Sequence, residues 1–176
     1  MDYYIDLHGG DRFEALVPHV YHVSTENART TELSLKMAMC VEAEFRIEVP
    51  DESAGTVAWA ASKGVPGILI ERGGMGMWSA EEVEKTKQDV FRIMKYLKIM
   101  KADNKIDHYA QAAFKKYDAL EAPDGGLWYP VKKPGDAFRE DDILGYIKDI
   151  YGEIQYIGKA KQRGILLYQK SECDER

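Results

Sequence analysis

The sequence predicts an α/β fold with a largely parallel β-sheet, followed by a small β-rich part. Two observations carry this prediction. Strand-like and helix-like segments alternate with short links up to residue 102, which is typical of strands joined by crossover helices. After residue 102, short β-type runs are separated by Gly, Pro and Asp. We therefore expect an α/β part over residues 1–102 and a β-rich part over residues 103–176.

Four segments of the first part have the composition of strands. The first, "DYYIDL", and the last, "VPGILIE", are nearly continuous apolar runs, as in a strand buried on both faces. The segment "FRIEVP" alternates apolar and polar residues and ends at a proline. The predicted strands cover residues 2–7, 19–23, 45–50 and 65–71.

Three segments carry helical signals, over residues 30–45, 53–64 and 79–100. The first has an apolar stripe at helical spacing, and the second ends at Gly64, a common helix stop. Ser79 and Glu82 form a capping box at the start of the third. The residues of the third helix expected to face inward are Val83, Val90, Met94 and Leu97.

Composition excludes several classes of protein. The chain has 176 residues, 45% of them hydrophobic, which is enough for a substantial core. Its net charge is −6, and its Lys and Arg residues are scattered among acids, so we expect no nucleic-acid surface. The apolar runs are too short to cross a bilayer, and no signal-peptide pattern is present, so we expect a cytoplasmic protein without membrane partners. Neither Cys40 nor Cys173 has metal-type spacing.

The most informative residues are His8 and Glu71. Each ends an apolar strand and is soon followed by two glycines, and sites in α/β sheets form beyond the carboxyl ends of strands. His8, with Asp6 two residues earlier, is either a metal ligand with an ordering carboxylate or a histidine bonded to backbone. Glu71 is either a general base or the partner of Arg72 in an ion pair. The residues alone leave both alternatives open.

Two other motifs suggest chemistry and carry less weight. His19 and His22 lie three apart in a β-type run, so their side chains point to opposite faces and make a poor metal pair. Residues 131–147 resemble a hairpin of lipoyl- or biotinyl-carrier domains. Lys148 is followed by Asp149 and Ile150, which does not match the carrier motif, so we expect that fold without the carrier function.

Taken in order, four segments resemble the succinylglutamate desuccinylase/aspartoacylase family, which is itself similar to the zinc carboxypeptidases. "IDLHGGD" resembles the segment with the family's third zinc ligand, and "GVPGILIERGG" resembles the segment with its catalytic glutamate. The helix "AEEVEKTKQDVFRIMKYLKIM" and the β-rich "GGLWYPVKKPGD…ILGYI" follow in the family's order.

The resemblance implies a zinc-carboxypeptidase-like mixed, largely parallel sheet with helices. Residues 1–102 would be the C-terminal part of the catalytic domain, and residues 103–176 an incomplete subdomain resembling a barrel-sandwich hybrid. It implies zinc as cofactor, His8 as a zinc ligand, Asp6 as the carboxylate that orders His8, and Glu71 as the catalytic base. Arg72 is expected to contact the substrate, an N-acyl amino acid or related small amide.

The chain departs from the family in its zinc motif. Family members carry a His-x-x-Glu motif upstream of the "DLH" strand, and none of the four histidines here has Glu three residues on. We therefore expect the second half of a member, inactive alone unless a complementing upstream chain supplies ligands, and prone to homo-oligomerise. The alternative function is a non-catalytic binding or assembly module that kept the fold without the chemistry.

Overall fold

The computed structural model describes residues 1–101, 106, 108–123 and 125–170. The chain forms two compact units. Unit 1 contains Met1–Gly9, Pro18–Arg72 and Trp78–Tyr117. Unit 2 contains Gly10–Val17, Gly73–Met77 and the residues from Asp118 onward.

Twelve strands and three helices are present in the described residues. The strands are β1 (Tyr4–His8), β2 (Glu14–Leu16), β3 (His19–Ser24), β4 (Phe45–Pro50), β5 (Gly67–Glu71), β6 (Ala112–Phe114), β7 (Leu127–Pro130), β8 (Ala137–Phe138), β9 (Ile143–Lys148), β10 (Ile154–Lys159), β11 (Gly164–Ile165) and β12 (Tyr168–Lys170). The helices are α1 (Ala28–Ala38), α2 (Thr56–Ser62) and α3 (Ala80–Tyr96).

Unit 1 is built on a five-stranded sheet of order β1-β5-β3-β4-β6. Strand β1 pairs in parallel with β5, and β4 pairs in parallel with both β3 and β6. The central pair, β3 with β5, is antiparallel. The predicted mixed, largely parallel α/β sheet is therefore confirmed. The four strands predicted from apolar runs are β1, β3, β4 and β5.

The core of unit 1 lies between this sheet and residues of α1, the turn after it, and α3. Its fully buried members are Val20, Met37, Ala38, Cys40, Val41, Ile68, Ile70 and Ile93. Ile68 and Ile70 alternate along β5, so both lie on one face of the sheet, while the intervening Leu69 lies on the other. The face opposite Ile68 and Ile70 carries Asp6, His8 and Glu71.

The three predicted helices are present and the predicted capping box is confirmed, but α1 ends at Ala38, before the predicted end at residue 45. Asn27 caps α1 by accepting hydrogen bonds from two backbone amides, and the Ser79–Glu82 capping box opens α3. The inward face predicted for α3 is wrong at Val83, whose exposed fraction is 46%. The fully buried residues of this helix are Asp89 and Ile93. The other three residues predicted to face inward, Val90, Met94 and Leu97, are partly buried.

Unit 2 contains only β-structure among its described residues. Strands β7, β9 and β10 form an antiparallel sheet of order β10-β9-β7, and β11 pairs with β8. Strand β12 pairs with β2, which the sequence analysis did not identify.

The division into units differs from the predicted one. The expected boundary at residues 102 and 103 lies outside the described residues. Beyond it, β6 belongs to unit 1 because it adds to the sheet beside β4. The loops that follow His8 and Arg72 belong to unit 2. No described helix is long and apolar enough to cross a membrane.

Candidate functional site

His8 and Glu71 lie side by side at the carboxyl ends of two neighbouring strands of the unit 1 sheet. They are the last residues of β1 and β5, and they are direct partners in the parallel register. Residues in register on adjacent strands point to the same face, and His8 Nδ1 is 3.5 Å from Glu71 Oε1. The structure therefore brings together the two side chains that the sequence singled out.

Asp6 lies beside the other nitrogen of the His8 ring. Its Oδ1 is 3.2 Å from His8 Nε2. A carboxylate at Nε2 favours the tautomer protonated on that nitrogen, which leaves the Nδ1 lone pair available. This carboxylate–histidine pair is the arrangement that orients metal-ligating histidines.

The residue that fixes Asp6 was not predicted from the sequence. Thr56, the first residue of α2, donates its hydroxyl to Asp6 Oδ2 at 2.7 Å. The Tyr4 hydroxyl is 3.5 Å from the same oxygen. Tyr4 could have been found, because it alternates with Asp6 and His8 along one face of β1. No local signal connects Thr56 to Asp6, since fifty positions separate them.

The side chains of His8, Asp6 and Glu71 are exposed to solvent to different extents. The His8 side chain is 47% exposed, whereas those of Asp6 and Glu71 are 20% and 16% exposed. An accessible imidazole flanked by two sheltered carboxylates can accept a cation at Nδ1, or it can exchange protons with Glu71.

The glycine loops that follow His8 and Arg72 are bonded to each other. The Gly10 amide donates to Gly73 O at 2.9 Å, and the Gly76 amide donates to Gly10 O at 3.2 Å. A Cβ atom on Gly10 would lie only 2.2 Å from Glu14 O. Glycine is required at position 10 because backbone occupies the space of a side chain.

Arg72, the residue expected to contact the substrate, lies in a buried ion pair. Consecutive strand residues point to opposite faces, so Arg72 lies on the face opposite Glu71. Its Nη2 donates to Asp89 Oδ2 at 2.7 Å and to Glu42 O at 2.8 Å, and its side chain is 3% exposed. The ion pair considered between Glu71 and Arg72 is likewise replaced by the pair with Asp89. The sequence could not reveal this acidic partner, which lies in the middle of α3.

His19 and His22 are both buried in β3 and point to opposite faces, as the sequence predicts, so they do not form a metal pair. His19 is the direct partner of Glu71 across the β3–β5 ladder. On the other face, His22 Nδ1 is 3.1 Å from Ile47 O, and Nε2 is 3.2 Å from Arg46 Nη1. Burial, assisted by the Arg46 charge, lowers the pKa of His22 to about 4.

The residues fit a metal site in part. His8 has the ordering carboxylate of a ligand histidine at Nε2, and its Nδ1 faces Glu71. Among the described residues, however, no group of three or more His, Cys, Asp and Glu side chains could hold a metal ion. Protein zinc sites use three or four ligands, so a complete site needs ligands beyond those described.

Solved structures with this fold come from succinylglutamate desuccinylase/aspartoacylase proteins and from an ectoine utilization protein. The product-bound ectoine utilization protein EutE (DoeB) from Ruegeria pomeroyi is 20% identical over 96% of this chain and 53% of its own, with a TM-score of 0.81. A succinylglutamate desuccinylase from Silicibacter sp. TM1040 is 18% identical over 96% of this chain and 53% of its own, also with a TM-score of 0.81. A succinylglutamate desuccinylase/aspartoacylase from Rhodobacter sphaeroides is 17% identical over 97% of this chain and 54% of its own, with a TM-score of 0.80.

These likenesses confirm the predicted fold, and the chain spans about half the length of each solved protein. No family model matches the chain, and neither does a curated protein.

Proposed function

We propose that this chain carries part of the active site of a zinc-dependent hydrolase of the desuccinylase/aspartoacylase type, which cleaves the amide bond of N-acyl amino acids or related small amides. The observation that carries the proposal is the placement of His8 between Asp6 and Glu71 at the carboxyl end of two parallel strands. The cytoplasm is the compartment in which we expect it to work.

His8 would hold the metal through Nδ1, and Asp6 would keep the ring in the required tautomer by accepting the Nε2 proton in a hydrogen bond. Thr56 would in turn fix the Asp6 carboxylate. Zinc, when bound, supplies Lewis acidity and lowers the pKa of water to near 7.

Glu71 would act as the general base. Its carboxylate lies on the Nδ1 side of His8, where it would take a proton from the attacking water. The water oxygen forms the new bond to the acyl carbon, the carbon–nitrogen bond breaks, and Glu71 returns the proton to the leaving amine. The products are a carboxylic acid and an amine, so no other reactant is needed.

One histidine does not hold zinc tightly, so two further ligands would come from a complementing polypeptide or from another part of a longer protein. The isolated chain should therefore bind zinc weakly and should not hydrolyse N-acyl amino acids. This is tested by measuring zinc content and amidase activity of the chain alone, and again after co-expression with an adjacent reading frame that encodes His-x-x-Glu.

In the assembled protein, His8→Ala should abolish both zinc retention and hydrolysis. Asp6→Asn should weaken zinc binding by roughly 10–100-fold, the usual effect of removing a partner of a ligand histidine. Glu71→Gln should retain zinc and lose hydrolysis, and His108→Ala, at an exposed histidine outside the cluster, should change neither. Zinc binding and hydrolysis that survive His8→Ala would refute the assignment of this site, whereas an assembled wild-type protein without zinc or hydrolysis would favour a non-catalytic assembly module.

A further inference from the structure

A second histidine lies beside Glu71 on the face of the sheet that carries the candidate site. His19, the first residue of β3, is the direct partner of Glu71 in the antiparallel β3–β5 ladder, just as His8 is its partner in the parallel β1–β5 ladder. Residues directly opposite each other in register point to the same face of a sheet. His8, Glu71 and His19 therefore form a row across three neighbouring strands, with the carboxylate between the two imidazoles.

The two imidazoles have different surroundings. The His8 side chain is 47% exposed, whereas His19 is 1% exposed. The His19 ring packs edge-on against the Tyr21 ring, with 5.1 Å between the ring centroids, and its in-register neighbour on β4 is Phe45. Of the two side chains in register with His19, one is therefore an apolar ring and the other is the Glu71 carboxylate.

Burial determines what the His19 imidazole needs. A neutral imidazole carries one N–H donor and one acceptor nitrogen, and a buried N–H costs free energy unless it donates a hydrogen bond. Directly opposed residues of an antiparallel pair have Cβ atoms roughly 4.5–5.5 Å apart, which lets their side chains meet. An ionised carboxylate only accepts hydrogen bonds, and it accepts stronger ones than a neutral group does. The register thus offers the Glu71 carboxylate as the acceptor for the His19 N–H.

We propose that His19 is a positioning residue for Glu71. Its imidazole N–H donates to the Glu71 carboxylate, and this contact keeps Oε1 on the His8 side, where it lies 3.5 Å from Nδ1. A glutamate side chain has several rotatable bonds, and a general base must be held within hydrogen-bond reach of the proton that it takes. The hydrogen bond does not depend on the proposed function, but its consequence for hydrolysis rests on it.

The geometry assigns His19 to Glu71 rather than to a metal. In the described part of the chain, no three His, Cys, Asp and Glu side chains are placed to hold a metal ion together, and this includes the row of His8, Glu71 and His19. His19 is also buried, whereas His8 is open to solvent. His19 therefore acts through the carboxylate and not on the metal or the substrate.

Imidazole NMR of the purified chain tests the hydrogen bond without any need for activity. The chain has four histidines, so substituting the other three one at a time assigns the His19 signal even if no His19 variant folds. Glu71→Gln should move the His19 N–H proton upfield, because a neutral amide accepts a weaker hydrogen bond than a carboxylate. Asp6→Asn is the matched control, since it removes a carboxylate beside His8 and should leave the His19 signal in place. An unchanged His19 signal in Glu71→Gln, or equal shifts in the two variants, would overturn the proposal.

Hydrolysis by the assembled protein tests the catalytic consequence. His19→Phe should lower kcat by roughly 10–100-fold and leave KM and zinc content unchanged, because a misplaced base affects the chemical step. His19→Asn and His19→Gln place an amide N–H near the positions of Nδ1 and Nε2, so at least one of them should recover most of the lost kcat. His22→Phe is the control, at an equally buried histidine on the opposite face, and should leave kcat unchanged.

The outcomes separate this inference from the proposed function. Full kcat in His19→Phe, or loss of its zinc, would overturn the positioning role while His8→Ala still reports on the zinc site. An inactive assembled wild-type protein would overturn the proposed function and with it the catalytic consequence of His19. The hydrogen bond between His19 and Glu71 is decided in every case by the NMR comparison.

Discussion

Replacing Asp89 with asparagine should destabilise unit 1 strongly. Asp89 is fully buried. Its carboxylate accepts a hydrogen bond from the Arg72 guanidinium at 2.7 Å and another from the Glu42 backbone amide at 2.8 Å, and it also forms an ion pair with Arg92. Asparagine can still accept from the Glu42 amide, but it carries no charge. The Arg72 side chain, 3% exposed, would then be buried without its counter-charge.

The expected loss in the free energy of unfolding follows from the burial of the Arg72 charge. Removing one partner of a buried ion pair costs about 3–5 kcal/mol, because the remaining charge stays desolvated. Domains of this size are typically stable by only about 5–15 kcal/mol. With a urea dependence of ~2 kcal/mol per M, the unfolding midpoint should fall by roughly 1.5–2.5 M.

Urea unfolding followed by hydrogen exchange of the α3 and β5 amides is the appropriate assay, since it reports on unit 1 alone. Glu84→Gln is the matched control: it removes a carboxylate from the same helix, where Glu84 pairs with Lys87 at 2.8 Å and both side chains are more than half exposed. We expect no measurable change for this control, because exposed pairs contribute little. Equal midpoints for Asp89→Asn and Glu84→Gln would refute the assignment of a buried ion pair.

Two further predictions concern stability. Gly10→Ala should cost about 1–3 kcal/mol by overpacking, because the new Cβ would lie 2.2 Å from Glu14 O, whereas Gly125→Ala meets no atom within 4 Å and should be near neutral in thermal unfolding. The pKa of His22 is lowered from 6.5 to about 4, so the unfolded chain takes up this proton first as the pH falls. The free energy of unfolding should therefore drop by up to roughly 3 kcal/mol between pH 6.5 and 4, and His22→Gln should remove that part of the pH dependence; identical slopes for the two proteins would contradict this.

The sequence predicted those features that depend on short-range patterns. The runs ending at His8 and Glu71 were recognisable as strands because both are short and rich in apolar residues, although β1 is only partly buried, and the parallel topology then placed the two ends together. The Ser79–Glu82 box was found because both of its hydrogen bonds join residues three apart.

The features that were missed depend on distant partners. Strands β2 and β6 have three residues each, too few to show alternation. The ion pair of Arg72 was not foreseen because its partner, Asp89, lies in a helix whose apolar pattern gives no indication of a buried carboxylate. The role of Thr56 in holding Asp6 was invisible for the same reason, since the contact exists only after α2 packs near β1.

The pairing of β1 with β5 also sets an order of events during synthesis. Strand β1 is synthesised before its partner, which comprises residues 67–71, so it must wait until the chain has grown past Glu71. By then β3, α1 and β4 are complete, and their contacts close shorter loops, which form sooner than long-range pairings. We therefore expect His8 and Glu71 to meet only after the β3–β4 pair has formed, so that a nascent chain stalled before residue 67 would hold two paired strands of the five-stranded sheet and no assembled candidate site.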